Sequence, residues 1–142
     1  MINTQKGVIT LCESGFTIDK HTKPQDLETN IPSLISKPHD YGNGYIGYTL
    51  WLDIDPQVYV SASVSFYRGT LASIRIYPQH QSTTIPAPQQ YPMEIEKSHP
   101  LAYAWYCNHF TQDELSFRWG KIVYGKGDDP IYHPTVVLIE FY

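Results

Sequence analysis

The segment GKIVYGKG, residues 120–127, has the spacing of a phosphate-binding loop: a glycine, four residues, then a glycine and a lysine. Such a loop needs a flexible turn between a strand and a helix, so that backbone N–H groups can cradle phosphate. Here the four intervening residues favour a strand, and Gly127 stands where the motif requires a hydroxyl. Asp128 and Asp129 follow and would repel phosphate. The segment therefore predicts a strand that ends in a hairpin turn.

Metal ligands and nucleophiles also lack the required spacing. The six histidines form no HExxH or HxH pair, and there is no GxSxG elbow. Asp53 and Asp55 form a DxD that could hold a divalent cation, but Pro56 makes a turn the better interpretation. Cys107 lies two residues before His109 in an apolar segment, where a packing thiol is the expected role. We therefore predict no enzyme activity, no metal and no cofactor.

Aromatic and acidic side chains offer a recognition surface instead. Trp51, Tyr59 and Tyr67 are predicted on the less apolar face of a sheet. The carboxylates at predicted turns and strand ends are Asp53, Asp55, Asp113, Glu114, Asp128 and Asp129. Together these groups would suit a basic protein or a cationic ligand. The alternative leaves Trp51 covered by a helix and the acidic groups merely solvated.

Composition places the chain among ordinary globular domains. Its 142 residues suit one domain, 1–142, and 17% charged residues with 42% hydrophobic residues exclude a disordered tail. A net charge of −4 disfavours nucleic-acid binding and mildly favours a basic partner. The two separated cysteines exclude a disulfide framework, and no apolar run reaches membrane-spanning length. We expect a soluble, cytoplasmic protein.

One helix is predicted near the amino terminus, over residues 22–36. Thr22 is the expected N-cap, and Pro24 suits the first turn. Apolar residues recur at helical spacing, but Pro32 predicts a short, broken helix. A second helix is predicted over 98–110.

Alternating apolar residues predict antiparallel strands with one wetter face. The predicted strands are 7–12, 15–19, 45–52, 58–66, 71–77, 114–124 and 135–142. The apolar phase shifts at Gly120, which predicts a bulge there. The last strand is apolar on both faces, so we expect it in the middle of the sheet beneath a helix.

The remaining segments predict a turn at 67–70 and loops at 37–44 and at the proline-rich stretch 78–97. The fold class is therefore α+β: a single domain with a twisted antiparallel sheet of about five to seven strands and one or two packed helices.

Four segments together resemble a known group of proteins. They are GFTIDKHTKPQDL (15–27), VSASVSFYRGTLASIRIY (60–77), LSFRWGKIVYGKGDDP (115–130) and VVLIEFY (136–142). Their layout resembles small bacterial immunity proteins of contact-dependent and polymorphic toxin systems.

The resemblance implies a cytoplasmic α+β protein without enzyme activity. Such a protein binds a cognate toxin domain and blocks its active site or substrate surface. The implied partner is a basic toxin such as a nuclease, with no direct nucleic-acid or membrane binding, and the protein itself is a monomer or a homodimer. The alternative is a small-molecule-binding or enzymatic domain, with a pocket between sheet and helix.

Overall fold

The computed structural model describes residues 2–54, 59–79, 110, 114–125 and 136–142. These residues form β1 (Ile2–Asn3), β2 (Val8–Thr10), β3 (Thr17–Ile18), α1 (Pro24–Asn30), a 3-10 turn (Pro32–Leu34), β4 (His39–Gly42), β5 (Tyr45–Trp51), β6 (Tyr59–Tyr67), β7 (Thr70–Gln79), β8 (Glu114–Ser116), β9 (Gly120–Gly125) and β10 (Val136–Phe141).

The strands form two antiparallel sheets. Strands β1, β2 and β3 make a small sheet, and the other seven make a large sheet in the order β4-β5-β6-β7-β10-β9-β8. Strand β10 thus lies between β7 and β9, as its apolar sequence predicted. Across the described residues the architecture is mostly sheet with one small α-helix. This is consistent with the predicted α+β class and antiparallel sheet.

The two-residue period of a strand decides which face of the large sheet is buried. Along β6, Val60, Ala62, Val64 and Phe66 are all buried. The strand register continues this inner face onto the neighbouring strands through Tyr48, Leu50, Leu71, Ile74, Ile76, Ile122 and Ile139. The predicted alternation in this strand is therefore confirmed over residues 60–66.

The amino-terminal elements cover the inner face. Their buried apolar residues join it in one hydrophobic cluster: Ile9, Leu11, Ile18, Leu27 and Ile31. Hydrogen bonds help to fasten this layer to the large sheet. The indole Nε1 of Trp119 donates to the Thr4 carbonyl at 2.9 Å, and the Tyr48 hydroxyl donates to Glu28 Oε1 at 2.8 Å.

Helix α1 is short and is followed by a 3-10 turn, as the prolines predicted. Pro24 occupies its first turn, and the Asp26 carboxylate accepts the Lys23 N–H at 2.8 Å. The predicted cap is wrong, because Lys23 is the N-cap residue. The Thr22 hydroxyl instead accepts the Asp19 N–H at 3.0 Å, within the preceding turn.

The predicted loop at 37–44 contains strand β4 and is wrong in that part. All four residues of β4 are exposed, so no apolar alternation marks the strand in the sequence. These residues form a strand because they pair with β5, with His39 opposite Gly47.

The chain reverses after β8, where the sequence predicted a bulge. Phe117 and Gly120 exchange two backbone hydrogen bonds, at 2.8 and 3.3 Å, and so close a hairpin turn. The predicted strand 114–124 is therefore two paired strands, and the phase shift marks the turn between them. Gly120 also approaches the Glu140 carbonyl so closely that a Cβ would overlap it.

Other predictions fall partly or wholly outside the described residues. The predicted helix 98–110 lies outside them except for Phe110, which is buried. Of the predicted loop 78–97, Pro78 and Gln79 are the last residues of β7, and the rest lies outside. Within the described part of the chain, no helix has the length and apolar character needed to cross a bilayer.

Candidate functional site

Two hairpin turns lie side by side at one end of the large sheet. Asn43 and Gly44 join β4 to β5, and Arg68 and Gly69 join β6 to β7. All four residues have positive φ, at 55°, 86°, 49° and 82° respectively. Positive φ at both central residues is typical of type I′ turns, whose twist matches the flanking strands. The Arg68 N–H donates to the Gly44 carbonyl at 2.8 Å, so each turn holds the other in position.

Three exposed tyrosines surround these turns on the outer face, the face of the large sheet opposite the core. Tyr41 is 61% exposed, Tyr45 44% and Tyr67 39%. Tyr45 and Tyr67 pair in register across β5 and β6, and their ring centroids are 4.8 Å apart. Clustered, exposed aromatic rings are typical of surfaces that bind other proteins.

A glycine makes room for the Tyr41 ring. A Cβ on Gly47 would lie 2.7 Å from Tyr41 Cε2, so this ring packs directly over the backbone of β5. The His39 ring meets it edge to face, with centroids 4.3 Å apart. We call the following set the hairpin patch: His39, Tyr41, Tyr45, Tyr67 and Arg68.

Arg68 places a cation on the hairpin patch. Its Cζ lies 5.2 Å from the centroid of the Tyr67 ring, within the range of a cation–π interaction. The side chain is exposed, and among the described residues no carboxylate pairs with it. The guanidinium therefore presents its N–H donors at the surface.

The charge of the hairpin patch differs in sign from that of the whole chain. Within the hairpin patch Arg68 carries a positive charge and no residue carries a negative one, while Lys37 and Asp40, close to His39 in the sequence, have opposite charges. Asp40 Oδ1 already accepts the Gly42 N–H at 2.8 Å. The chain as a whole has a net charge of −4. The patch is thus a small cationic region on an acidic protein.

Small and polar residues lead away from the hairpin patch across the outer face. One row of paired residues crosses all seven strands: His39, Gly47, Ser65, Ser73, Glu140, Lys121 and Ser116. Lys121 Nζ and Glu140 Oε2 form an ion pair at 3.1 Å, with both side chains partly exposed. An ion pair of this kind contributes little stability. The side chains of this row therefore make the outer face polar and add little to the stability of the fold.

The predicted recognition residues are divided by the fold. Tyr67 lies in the hairpin patch, but half-buried Trp51 ends β5, about 20 Å along the strand from Tyr45. Asp53 has a structural role, because its Oδ2 accepts the Glu13 N–H at 2.9 Å. This bond holds the turn between β2 and β3 against the segment that follows β5.

The other predicted residues are only partly described. The backbone of Tyr59 pairs with Gln79 at the first residue of β6, and that of Glu114 pairs with Val123 at the first residue of β8. The remaining acidic residues lie outside the described residues: Asp55, Asp113, Asp128 and Asp129. An acidic binding surface at these turns stays a prediction.

Sequence reasoning missed most of the hairpin patch: His39, Tyr41, Tyr45 and Arg68. One signal was present, because Asn43-Gly44 is a strong short-range indication of a hairpin. It would have placed a strand immediately before the turn. The turn at 67–70 is predicted correctly, but its position beside the first turn depends on the order of strands in the sheet.

A second polar pair, Tyr48 and Glu28, joins the core to the surface of helix α1. Burial, and after it the hydrogen bond to Glu28, raise the pKa of Tyr48 to about 12. The Tyr48 ring also meets Phe66 edge to face, with centroids 5.9 Å apart. At neutral pH the hydroxyl is therefore a structural hydrogen-bond donor.

In the part of the chain that the structure describes, no group of three or more His, Cys, Asp or Glu could hold a metal ion.

The fold occurs in a solved toxin–immunity complex. A chain of the structure described as "Rhs1-CT in complex with cognate immunity protein RhsI1" aligns over 99% of this chain and 85% of that chain, with a TM-score of 0.51 and 15% identity. At this identity the likeness shows a shared fold. It agrees with the resemblance carried by the four sequence segments. No family model and no curated protein matches the chain.

Proposed function

We propose that this chain is an immunity-type protein that binds a toxin domain and neutralises it. The observation that carries this proposal is the fold shared over 99% of the chain with a chain of the complex between Rhs1-CT and its immunity protein RhsI1. The four sequence segments that resemble immunity proteins support it from the side of the sequence.

The hairpin patch is the surface we assign to toxin binding. Tyrosine side chains offer a large contact area with only two rotatable side-chain bonds, so their ordering costs little entropy. Tyr45 and Tyr67 already support each other at 4.8 Å, which reduces this cost further. In this proposal the outer face occludes the active site or the substrate surface of the toxin, and the chain performs no chemistry itself.

The partner we propose is basic overall, such as a nuclease. A net charge of −4 attracts a basic domain at long range and accelerates its association. The acidic residues predicted at turns and strand ends, including Asp128 and Asp129, would strengthen that attraction. Such steering weakens as salt screens the charges.

The enzymatic alternative has no comparable support from the described residues. Beneath the sheet Tyr48, which is 4% exposed, donates a hydrogen bond to Glu28. Its hydroxyl is committed to a structural hydrogen bond. A pocket between sheet and helix with reactive groups is therefore the weaker hypothesis.

Co-expression tests the proposal directly. The toxin domain encoded beside the gene for this chain would be produced in a sensitive bacterium with and without the chain. We expect the chain to restore growth and to elute with the toxin domain as a complex in gel filtration. A chain that neither restores growth nor forms a complex would refute the immunity function.

A further inference from the structure

We propose that Arg68 is the recognition residue of the hairpin patch, and that it binds a carboxylate on the surface of the toxin domain. The identity of the partner rests on the proposed function. The choice of residue rests on the geometry of the two neighbouring turns.

Arg68 occupies a backbone position that suits other residues better. Its φ of 49° lies in the left-handed region, which long side chains rarely adopt. The equivalent position of the neighbouring turn, at φ 55°, is occupied by Asn43, a residue that type I′ turns favour. The turn would form more easily without the arginine. A strained residue that is exposed indicates a role for its side chain rather than for the turn.

The surrounding residues fix the guanidinium in place. Its Cζ lies 5.2 Å from the centre of the Tyr67 ring, and the centroid of the tilted Tyr45 ring lies 4.8 Å from that of Tyr67. The aliphatic stem runs against Gly44, where a Cβ would lie 3.0 Å from Arg68 Cγ. Gly44 thus leaves room for the stem, and the tyrosines provide a platform for the cation. A group held in this way loses little entropy when a partner binds.

The chemistry of the missing partner follows from this arrangement. Among the described residues no carboxylate pairs with Arg68, so its planar set of N–H donors can take a two-point contact from outside. Phosphate has a similar geometry, but a net charge of −4 opposes nucleic acid. A protein carboxylate is therefore the better match.

This local contact is compatible with a basic toxin. The net charge of −4 acts at long range on the whole partner, whereas Arg68 acts at contact distance on one acidic side chain. Electrostatic complementarity of this mixed kind sets the orientation of a complex as well as its rate of formation. The tyrosines would pack against apolar groups that flank the partner's carboxylate.

Three variants test the inference by calorimetric titration with the toxin domain. Arg68→Asn removes the cation and installs a residue that the turn favours, so we expect an unchanged or higher melting temperature and a more than tenfold loss of affinity. Arg68→Lys keeps the charge without the planar donors and should also weaken binding clearly. Lys20→Gln is the matched control, because Lys20 is an exposed cation in the amino-terminal layer. It should change affinity less than twofold.

The outcomes separate this inference from the proposed function. If Arg68→Asn binds the toxin domain within twofold of the wild type, the role of Arg68 is overturned and the immunity function stands. If the wild type binds no toxin domain, the proposed function fails. A separate experiment tests which chemical group Arg68 binds: nuclear magnetic resonance follows the Arg68 Nε–H signal during titration with small ligands. A shift with N-acetyl-glutamate methylamide that exceeds the shift with inorganic phosphate supports a carboxylate site, and any other result overturns it.

Discussion

Neighbouring residues of strand β6 lie on opposite faces of the sheet, one face packed in the core and the other available for binding. Val64 and Phe66 point into the core and are almost completely buried, whereas Tyr67, one residue further, is exposed on the hairpin patch. One step along a strand moves a side chain from one face of the sheet to the other. Folding stability and partner recognition are therefore separable residue by residue. Inner-face changes should act on unfolding, and changes to the hairpin patch should act on binding.

The largest effect is expected from Phe66→Ala. This substitution removes a fully buried ring that also meets Tyr48 edge to face. Deleting an aromatic side chain from a packed core costs about 3–5 kcal/mol of unfolding free energy. Urea denaturation measures the change. The matched control is Tyr67→Ala, one residue away on the outer face, which we expect to cost about 1 kcal/mol or less. Equal losses for the two variants would contradict the division between the faces.

The next effect concerns Tyr48 and alkaline pH. Its pKa is about 12 in the folded protein and about 10 in the unfolded chain, so the folded state holds the phenol proton more tightly. The tighter binding of this proton contributes about 2 kcal/mol to the free energy of unfolding. The contribution is fully present below pH 10 and is lost as the pH rises towards 12.

Tyr48→Phe sharpens that measurement, because it removes the titrating group and keeps the ring. Denaturation curves at pH 9 should show a cost of about 1 kcal/mol for the lost hydrogen bond to Glu28. Between pH 10 and 12 the variant should lose less stability than the wild type. Parallel pH profiles for the two proteins would show that Tyr48 titrates in the folded state as it does in the unfolded chain.

Tyr45→Ala tests the outer face through binding. Truncating a central aromatic residue of a protein interface typically costs about 1–2 kcal/mol of binding energy or more. We expect the affinity for the toxin domain to fall about tenfold in calorimetry, with a change in unfolding free energy of about 1 kcal/mol or less. A variant that folds and binds like the wild type would exclude Tyr45 from the interface.

The smallest effect is expected for the ion pair between Lys121 and Glu140, which is on the outer face but distant from the hairpin turns. A double-mutant cycle with Lys121→Gln and Glu140→Gln should give a coupling energy of about 0.5 kcal/mol or less. A coupling energy several times larger would mean that this row of the outer face does support the fold.

The sheet could be predicted where burial leaves a pattern in the sequence. The alternation over 60–66 follows from one fully buried face and one less buried, polar face, and the doubly apolar last strand predicted its central position. Strand β4 left no pattern, because all four of its residues are exposed. The turn before β9 was mistaken for a bulge, because both shift the apolar phase by one residue.

The candidate site was harder to predict than the fold. Tyr67 was identified from its face on β6, but its neighbours in space come from another hairpin. Tyr45 approaches Tyr67 only because β5 and β6 pair in one particular register. Arg68 belongs to the predicted turn at 67–70, but its position over an aromatic ring is a property of the folded chain. Local patterns indicate which side chains face outwards, whereas their grouping depends on the order of the strands.

The edges of the large sheet have a consequence for the protein at high concentration. Within the described residues, the outermost strands are β4 and β8, with four and three residues. In β4 the register shifts between Asp40 and Gly42, and Gly42 has a φ of 75°. A short, irregular edge offers few aligned backbone groups to another chain, so it is a poor template for intermolecular strand pairing. The shape of β4 should thus protect the protein against aggregation while Tyr41 stays accessible.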